Sequence, residues 1–166
     1  MPYTDRFTPT DNLITHLNGV IGGIADAAIL ANYAGFLSVS AVTVYELAIK
    51  DIFESFARRK NNTFGDFVQT HFERINGRIK LDSLKKEHIK TFGDRYVKKF
   101  NTNLDAKEVA VFAAEHLSVK NCYTNLITCR HEYVHGGNPT LTLNEVISNY
   151  AKGKEVIHSL DLSMRR

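Results

Sequence analysis

The residues of this sequence that could do chemistry gather in one short segment, residues 129–137. The segment holds an arginine at Arg130, a glutamate at Glu132 and histidines at His131 and His135. A guanidinium binds phosphate oxygens through two parallel hydrogen bonds and stays charged at any ordinary pH. An imidazole titrates near neutrality, so it can accept or donate a proton in a reaction. The segment therefore contains groups that could bind a phosphate and transfer protons.

A second pattern overlaps the first and implies different chemistry. His131-Glu132-x-x-His135 is the spacing by which zinc proteases hold their metal, with the glutamate activating water. The third ligand of the extended pattern would fall at Leu141, which cannot bind zinc, and Glu145 follows His135 across a Gly-Gly-Asn-Pro break. No convincing strands precede residue 100 to hold a substrate. We therefore expect no metal or other cofactor and keep a zinc-dependent hydrolase as an alternative.

The segment ends a predicted amphipathic helix, and Arg130 falls on its apolar stripe. The stripe residues around it are Leu126, Ile127, Tyr133 and Val134. A guanidinium there is costly unless it faces a partner, a cleft or a subunit interface. The alternative is an arginine that extends from the edge of the stripe to solvent. The neighbouring face carries a polar line, made of Thr124, Thr128, His131 and His135.

Helix geometry gives an independent reason to expect a dimer. Positions five apart, such as Arg130 and His135, lie about 140° from each other around a helix. The two groups converge either through the length of arginine and unwinding at Gly136, or by facing a second copy across a two-fold axis.

The elements that position this segment are predicted to be helices almost throughout. A long apolar stripe runs from Leu30 to Phe56, with a bend predicted near Gly35, and closes on the cations at residues 58–60. The motif helix ends at residues 136–139, where glycine supplies a C-cap and proline forbids continuation. Thr142 and Glu145 then form a capping box that opens the last helix.

The remaining elements are shorter. Helices are predicted over residues 13–24 with Asp11 as N-cap, over 64–75 with a stop at Asn76-Gly77, and over 83–100 with a break at Gly93. Residues 109–114 are compatible with helix or strand. The prediction is one all-α bundle spanning residues 1–166.

Composition and charge limit the class of protein. The chain has 166 residues, a net charge of +3 and 43% hydrophobic residues, which excludes a disordered, collagen-like or disulfide-stapled chain. Residues 27–45 carry no charge, but polar residues interrupt them, so we expect a buried core helix and no membrane segment. Cys122 and Cys129 lie too far apart on one helix to bond each other. With no secretion signal expected, these features favour the cytoplasm.

The motif resembles that of the HEPN domains, a family of small helical proteins. Their signature is an arginine, a polar residue, three further residues and a histidine, often followed by glycine, and residues 130–136 fit it at every defined position. The long helix through Tyr45-Glu46-Leu47 is also similar. The resemblance implies an all-α HEPN-like bundle with one long kinked helix and the motif at the end of the penultimate long helix.

The resemblance also implies a function and its residues. Catalytic HEPN proteins are metal-independent endoribonucleases, commonly toxins or antiphage and stress effectors, and usually act as dimers with a composite active site. We expect His135 to transfer protons, Arg130 to bind the phosphate, His131 to support them, and Glu46 to reach the Arg130 cluster. Some HEPN toxins have a tyrosine, modified by their antitoxin, where this chain has Gly137. An antitoxin or regulator of another kind is therefore expected, and a catalytically silent HEPN domain that binds RNA, nucleotide or protein is the alternative.

Overall fold

The computed structural model describes residues 2–73, 75 and 77–165. Seven α-helices and no strand occur in this part of the chain. The helices are α1 (Thr8–Val20), α2 (Ala27–Arg58), α3 (Asn62–Phe72), α4 (Leu81–Ser83), α5 (Asp94–Glu115), α6 (Val119–Gly136) and α7 (Leu143–Met164). Short 3₁₀ turns lie at Tyr3–Phe7, Ile21–Gly23 and Ile89–Phe92, and a π-helical turn at Leu84–His88 follows α4. The predicted all-α class is confirmed, and the motif ends α6, the penultimate helix.

The central element is α2, which contacts α1, α3, α6, α7 and the first 3₁₀ turn. By length and composition alone α2 could cross a membrane. In the structure one face is buried from Ala34 to Ala57, as in the core helix of a bundle. The helix is continuous through Gly35, and the kink near that residue stays a prediction.

Three stacked tyrosines join α2, α6 and α7. The Tyr45 ring lies between those of Tyr123 and Tyr150, with centroids 5.6 Å away on both sides. A Cβ atom on Gly153 would lie 2.6 Å from the Tyr45 hydroxyl oxygen, so only glycine lets α7 approach this closely. The Tyr45 hydroxyl donates to the carbonyl of Tyr150, and that of Tyr123 to the carbonyl of Ile79. Such aromatic pairs contribute roughly 0.5–1.5 kcal/mol each beyond their buried area, and here they fix α6 against the core.

The ends of the last two helices are those that the sequence predicts. Gly137 closes α6 with φ 72°, and its N–H donates to the carbonyl of Tyr133. Left-handed backbone of this kind favours glycine. Thr142 and Glu145 form the predicted capping box at the start of α7.

Two other boundaries differ from the sequence prediction. Asp11 is not an N-cap: α1 begins at Thr8, with Pro9 in its first turn where proline is favoured, and the Asp11 carboxylate pairs with Lys154 at 2.6 Å. The helix predicted over 64–75 ends at Phe72. The predicted stop at Asn76-Gly77 cannot be compared at Asn76, which lies outside the described residues.

Two predictions about the middle of the chain are settled by the structure. Gly93, with φ 113°, separates the 3₁₀ turn at Ile89–Phe92 from α5, which confirms the predicted break. Residues 109–114, left open between helix and strand, are helical. Cys122 and Cys129 are buried free thiols.

Candidate active site at the end of α6

The end of α6 is held against α2 by a contact that only glycine permits. A Cβ atom on Gly35 would lie 2.2 Å from Cδ2 of Tyr133, so the tyrosine ring rests on the backbone of α2. Phe36 packs edge-on against the same ring, with centroids 5.6 Å apart. Tyr45, ten residues after Gly35 in α2, meets Tyr123, ten residues before Tyr133 in α6, so the two helices run antiparallel with Gly35 level with Tyr133.

The two histidines of the motif lie side by side on the exposed face of α6. The ring centroids of His131 and His135 are 4.5 Å apart, and the ring planes are inclined by 55°. Both side chains are exposed, as are those of Thr124 and Thr128, which precede them on the same face. The predicted polar line is therefore present, and it ends on a pair of adjacent imidazoles open to solvent.

Arg130 occupies the apolar side of α6, as the sequence predicts. It is half-buried, next in helical position to the buried Leu126 and to Tyr133. Its guanidinium makes no hydrogen bond or ion pair with another described residue. A partly buried cation without a partner carries a desolvation cost that a bound anion would offset.

Within one chain, Arg130 and His135 point in different directions. Their helical positions are separated by about 140° around the axis of α6. Arg130 is half-buried on the side that faces α2, whereas His135 is exposed on the polar line. The two groups therefore do not converge on one point within a protomer.

Glu46 is brought to the loop before α4 and not to Arg130. The buried carboxylate accepts a hydrogen bond from the backbone N–H of Gly77 at 2.7 Å. From the register of α2 and α6, Glu46 lies level with Cys122, about 12 Å along the axis from Arg130. A supporting role for Glu46 in the active site stays a prediction, and its observed contact is with the loop.

The zinc alternative lacks a third ligand in the described part of the chain. No group of three or more histidine, cysteine, aspartate or glutamate side chains there could hold a metal ion. The carboxylate of Glu145, the candidate third ligand, accepts hydrogen bonds from the N–H and hydroxyl of Thr142, both at 2.8 Å. These hydrogen bonds lower the pKa of Glu145 and commit it to capping α7.

A cleft beside the polar line was not foreseen from the sequence. It has a volume of about 340 Å³ and is lined by Lys80, Leu81, Asp82, Thr124, Ile127 and Thr128. The polar line supplies Thr124 and Thr128 to one wall of the cleft. The other wall comes from more than forty residues earlier in the chain, so no local pattern could join the two.

Large apolar side chains are exposed around the end of α6 and the start of α2. Phe36 is 60% exposed, Val134 49% and Ile29 44%. Phe36 touches the ring that neighbours Arg130 in the helix, and Val134 precedes His135. The surface around the motif is therefore partly apolar, which is typical of an interface between subunits.

Comparison with protein families places the chain in one of them. A family model described as RiboL-PSP-HEPN matches residues 5–165, nearly the whole chain, including all seven described α-helices. No curated protein and no solved structure matches the chain.

Proposed function

Because the chain belongs to the RiboL-PSP-HEPN family, we propose that it is a metal-independent endoribonuclease with Arg130 and His135 as its catalytic residues. Family membership supports a role in cleaving or binding RNA. Support for cleavage comes from α6, where a half-buried guanidinium without a described partner is followed, one and five residues later, by two adjacent, exposed imidazoles. A phosphate group satisfies the arginine, and the histidines supply proton transfer.

The reaction that fits these groups is attack of a ribose 2′-hydroxyl on the adjacent phosphorus. A base removes the 2′-OH proton, the 2′-oxygen bonds to phosphorus, and the bond to the 5′-oxygen breaks as an acid protonates that oxygen. His135 is the proton-transfer residue, and each such role contributes roughly 10²–10⁴ in rate. Arg130 binds the non-bridging oxygens, where negative charge accumulates. His131, 4.5 Å from His135 between ring centroids, orients the phosphate or tunes its neighbour.

The active site is completed by a second copy of the chain. A two-fold axis near the end of α6 brings two arginines and two histidines to one cleft, which resolves the divergence of Arg130 and His135 within a protomer. The exposed side chains of Phe36 and Val134 supply apolar area for such an interface.

The cellular role is that of a toxin or an antiphage or stress effector acting on RNA in the cytoplasm. The family resemblance implies this role, and the mild positive charge of the chain is compatible with an RNA substrate. Gly137 replaces the tyrosine that some antitoxins modify, so the restraining protein acts by another chemistry. No membrane partner is involved.

One experiment tests the nuclease directly. Purified protein is incubated with RNA, with and without EDTA, beside Arg130→Ala and His135→Ala. His16→Ala, which removes an exposed histidine of α1, is the matched control. Cleavage that survives EDTA and His16→Ala, and is lost in both motif variants, supports the proposal.

The same experiment separates the alternatives. Loss of cleavage on chelation, with one zinc bound per chain, would select the hydrolase built on His131 and His135. RNA binding without cleavage under any condition would select the catalytically silent HEPN domain.

A further inference from the structure

We propose that the cleft lined by Lys80, Leu81 and Thr128 is a second RNA subsite, which holds a nucleotide next to the scissile phosphodiester. This inference rests on the proposed function and names how a single-stranded substrate is held. The cleft opens beside α6, between that helix and the segment of residues 77–82, which we call the cleft loop. Its position, its fastening and its charge each support the assignment.

The cleft lies in line with the proposed proton-transfer residues. Thr124, Thr128, His131 and His135 follow one another on one face of α6, and the first two line the cleft. From Thr124 to His135 the line extends about 16 Å along the helix. A strand whose phosphate lies at the two imidazoles and which follows this face therefore places a neighbouring nucleotide in the cleft.

The cleft loop is held in place by side chains from three separate elements. Glu46 of α2 accepts from the N–H of Gly77, the Tyr123 hydroxyl of α6 donates to the carbonyl of Ile79, and His88 bonds the carbonyl of Arg78 at 2.8 Å. Glu46, Tyr123 and His88 are all buried. The wall that carries Lys80 is therefore preformed, and little conformational entropy is lost when a ligand binds.

The charges on the cleft loop fit a polyanion. Several cations elsewhere are paired with carboxylates, including Arg6 with Asp51, Lys107 with Glu155, Lys120 with Asp105 and Lys152 with Glu115. Arg78 and Lys80 are exposed and make no ion pair with a described residue. The acidic residue of the cleft, Asp82, is paired with Lys86 at 3.2 Å, which offsets its repulsion of phosphate. Lys80 therefore brings an unpaired positive charge to the cleft beside the polar line.

The lining suits one nucleotide of a single strand. A volume of about 340 Å³ is at the lower end of small-ligand sites and matches one base with its sugar. Ile127 and Leu81 offer apolar surface to the face of a base. The Thr128 hydroxyl makes no hydrogen bond with another described residue and is open to a base edge or a 2′-hydroxyl. Lys80 reaches the phosphate.

Binding of a labelled single-stranded RNA octamer tests the subsite. The measurements use the His135→Ala protein, so that the RNA stays intact. Lys80→Ala should weaken binding about fivefold at low salt and reduce the slope of log affinity against log salt by about 0.7, the loss expected for one phosphate contact on a single strand. Thr128→Val keeps the shape of the side chain and should weaken binding about threefold without changing that slope. Lys98→Ala removes an exposed lysine of α5 and is the matched charge control, expected to leave affinity unchanged.

Asp82→Asn gives a test of opposite sign. Removing this carboxylate lowers the negative charge of the cleft and leaves Lys86 unpaired, so RNA should bind more tightly. The subsite would be overturned if Lys80→Ala and Thr128→Val left the affinity unaltered, or if their losses equalled that of Lys98→Ala. Absence of any RNA binding would also overturn it. The outcome is separable from that of the nuclease, because RNA cleavage with unchanged binding in the cleft variants contradicts the subsite alone. If the variants bind RNA as expected but the unmodified protein does not cleave RNA, only the nuclease proposal is contradicted.

Discussion

The Tyr133 ring lies directly on the backbone of Gly35, with no space between them for even one methyl group. Tyr133 is inside the motif, between Arg130 and His135, so the contact sets the distance of both residues from α2. The small size of Gly35 in α2 therefore determines where the motif residues of α6 lie.

Gly35→Ala should destabilise the protein and disturb the site. The added Cβ would lie 2.2 Å from Tyr133, so the ring must move, and overpacking of this kind costs about 1–3 kcal/mol. Urea unfolding measures the loss, and RNA cleavage should fall with it. Gly19→Ala in α1 is the control, because nothing lies within 4 Å of its Cβ position and alanine favours a helix. Equal stability of the two variants would show that the Tyr133 contact does not restrain α6.

Arg130→Leu should remove cleavage and stabilise the folded chain. The guanidinium is half-buried on an apolar face without a described partner, so leucine replaces an uncompensated charge by apolar contacts. We expect a gain of about 1 kcal/mol in the free energy of unfolding, together with loss of RNA cleavage. Arg78→Leu, at an exposed position, is the comparison and should give no such gain. A destabilised Arg130→Leu protein would mean that the arginine has a structural partner.

Mixing two inactive variants should restore activity if the site is composite. Arg130→Ala supplies an intact His135, and His135→Ala supplies an intact Arg130, so a mixed dimer contains one complete site. Random exchange of subunits then returns about a quarter of the original activity. Cleavage by each variant alone and by the refolded mixture is measured at equal total concentration. A mixture that contains mixed dimers and still cleaves no RNA would place both residues of a working site in one protomer.

Acidification should destabilise the protein through His88, which is buried, and His158, which is half-buried. Burial lowers the pKa of His88 and of His158 below the usual value of 6.5. The unfolded chain therefore binds protons at a higher pH than the folded chain does. Stability is full above pH 6.5 and falls as the pH drops through the folded-state pKa values.

Thermal unfolding between pH 7.5 and 5 measures this effect. His88→Gln keeps an N–H donor for the Arg78 carbonyl but cannot be protonated, so its melting temperature should fall less steeply on acidification. His16→Gln, which changes an exposed residue, should follow the unmodified protein. Parallel curves for all three proteins would contradict the assignment.

The motif helix and its ends could be predicted because their signals are local. Gly137 and Thr142 act on neighbours within a few residues, and the apolar stripe of α6 repeats every three or four positions. Asp11 was misjudged because capping competes with a distant ion pair: its partner, Lys154, lies at the other end of the sequence. No short-range pattern reveals that pairing.

The cleft and the contact of Glu46 could not be predicted for the same physical reason. Glu46 was expected near the arginine from the family resemblance, but the register of α2 and α6 depends on Gly35 and on the tyrosine stack around Tyr45. The carboxylate instead meets a backbone amide in the cleft loop. A contact to a main-chain atom does not depend on which residue type the loop carries there, so the loop sequence does not reveal it.

The cleft loop therefore takes its path from other parts of the chain. Because Glu46, His88 and Tyr123 bond its main-chain atoms, the outward side chains of Arg78 and Lys80 can be exchanged without altering the course of the backbone. Such a scaffold allows the RNA sequence preference proposed for the cleft to differ between relatives, or to be changed by design, while the helices beneath remain unchanged.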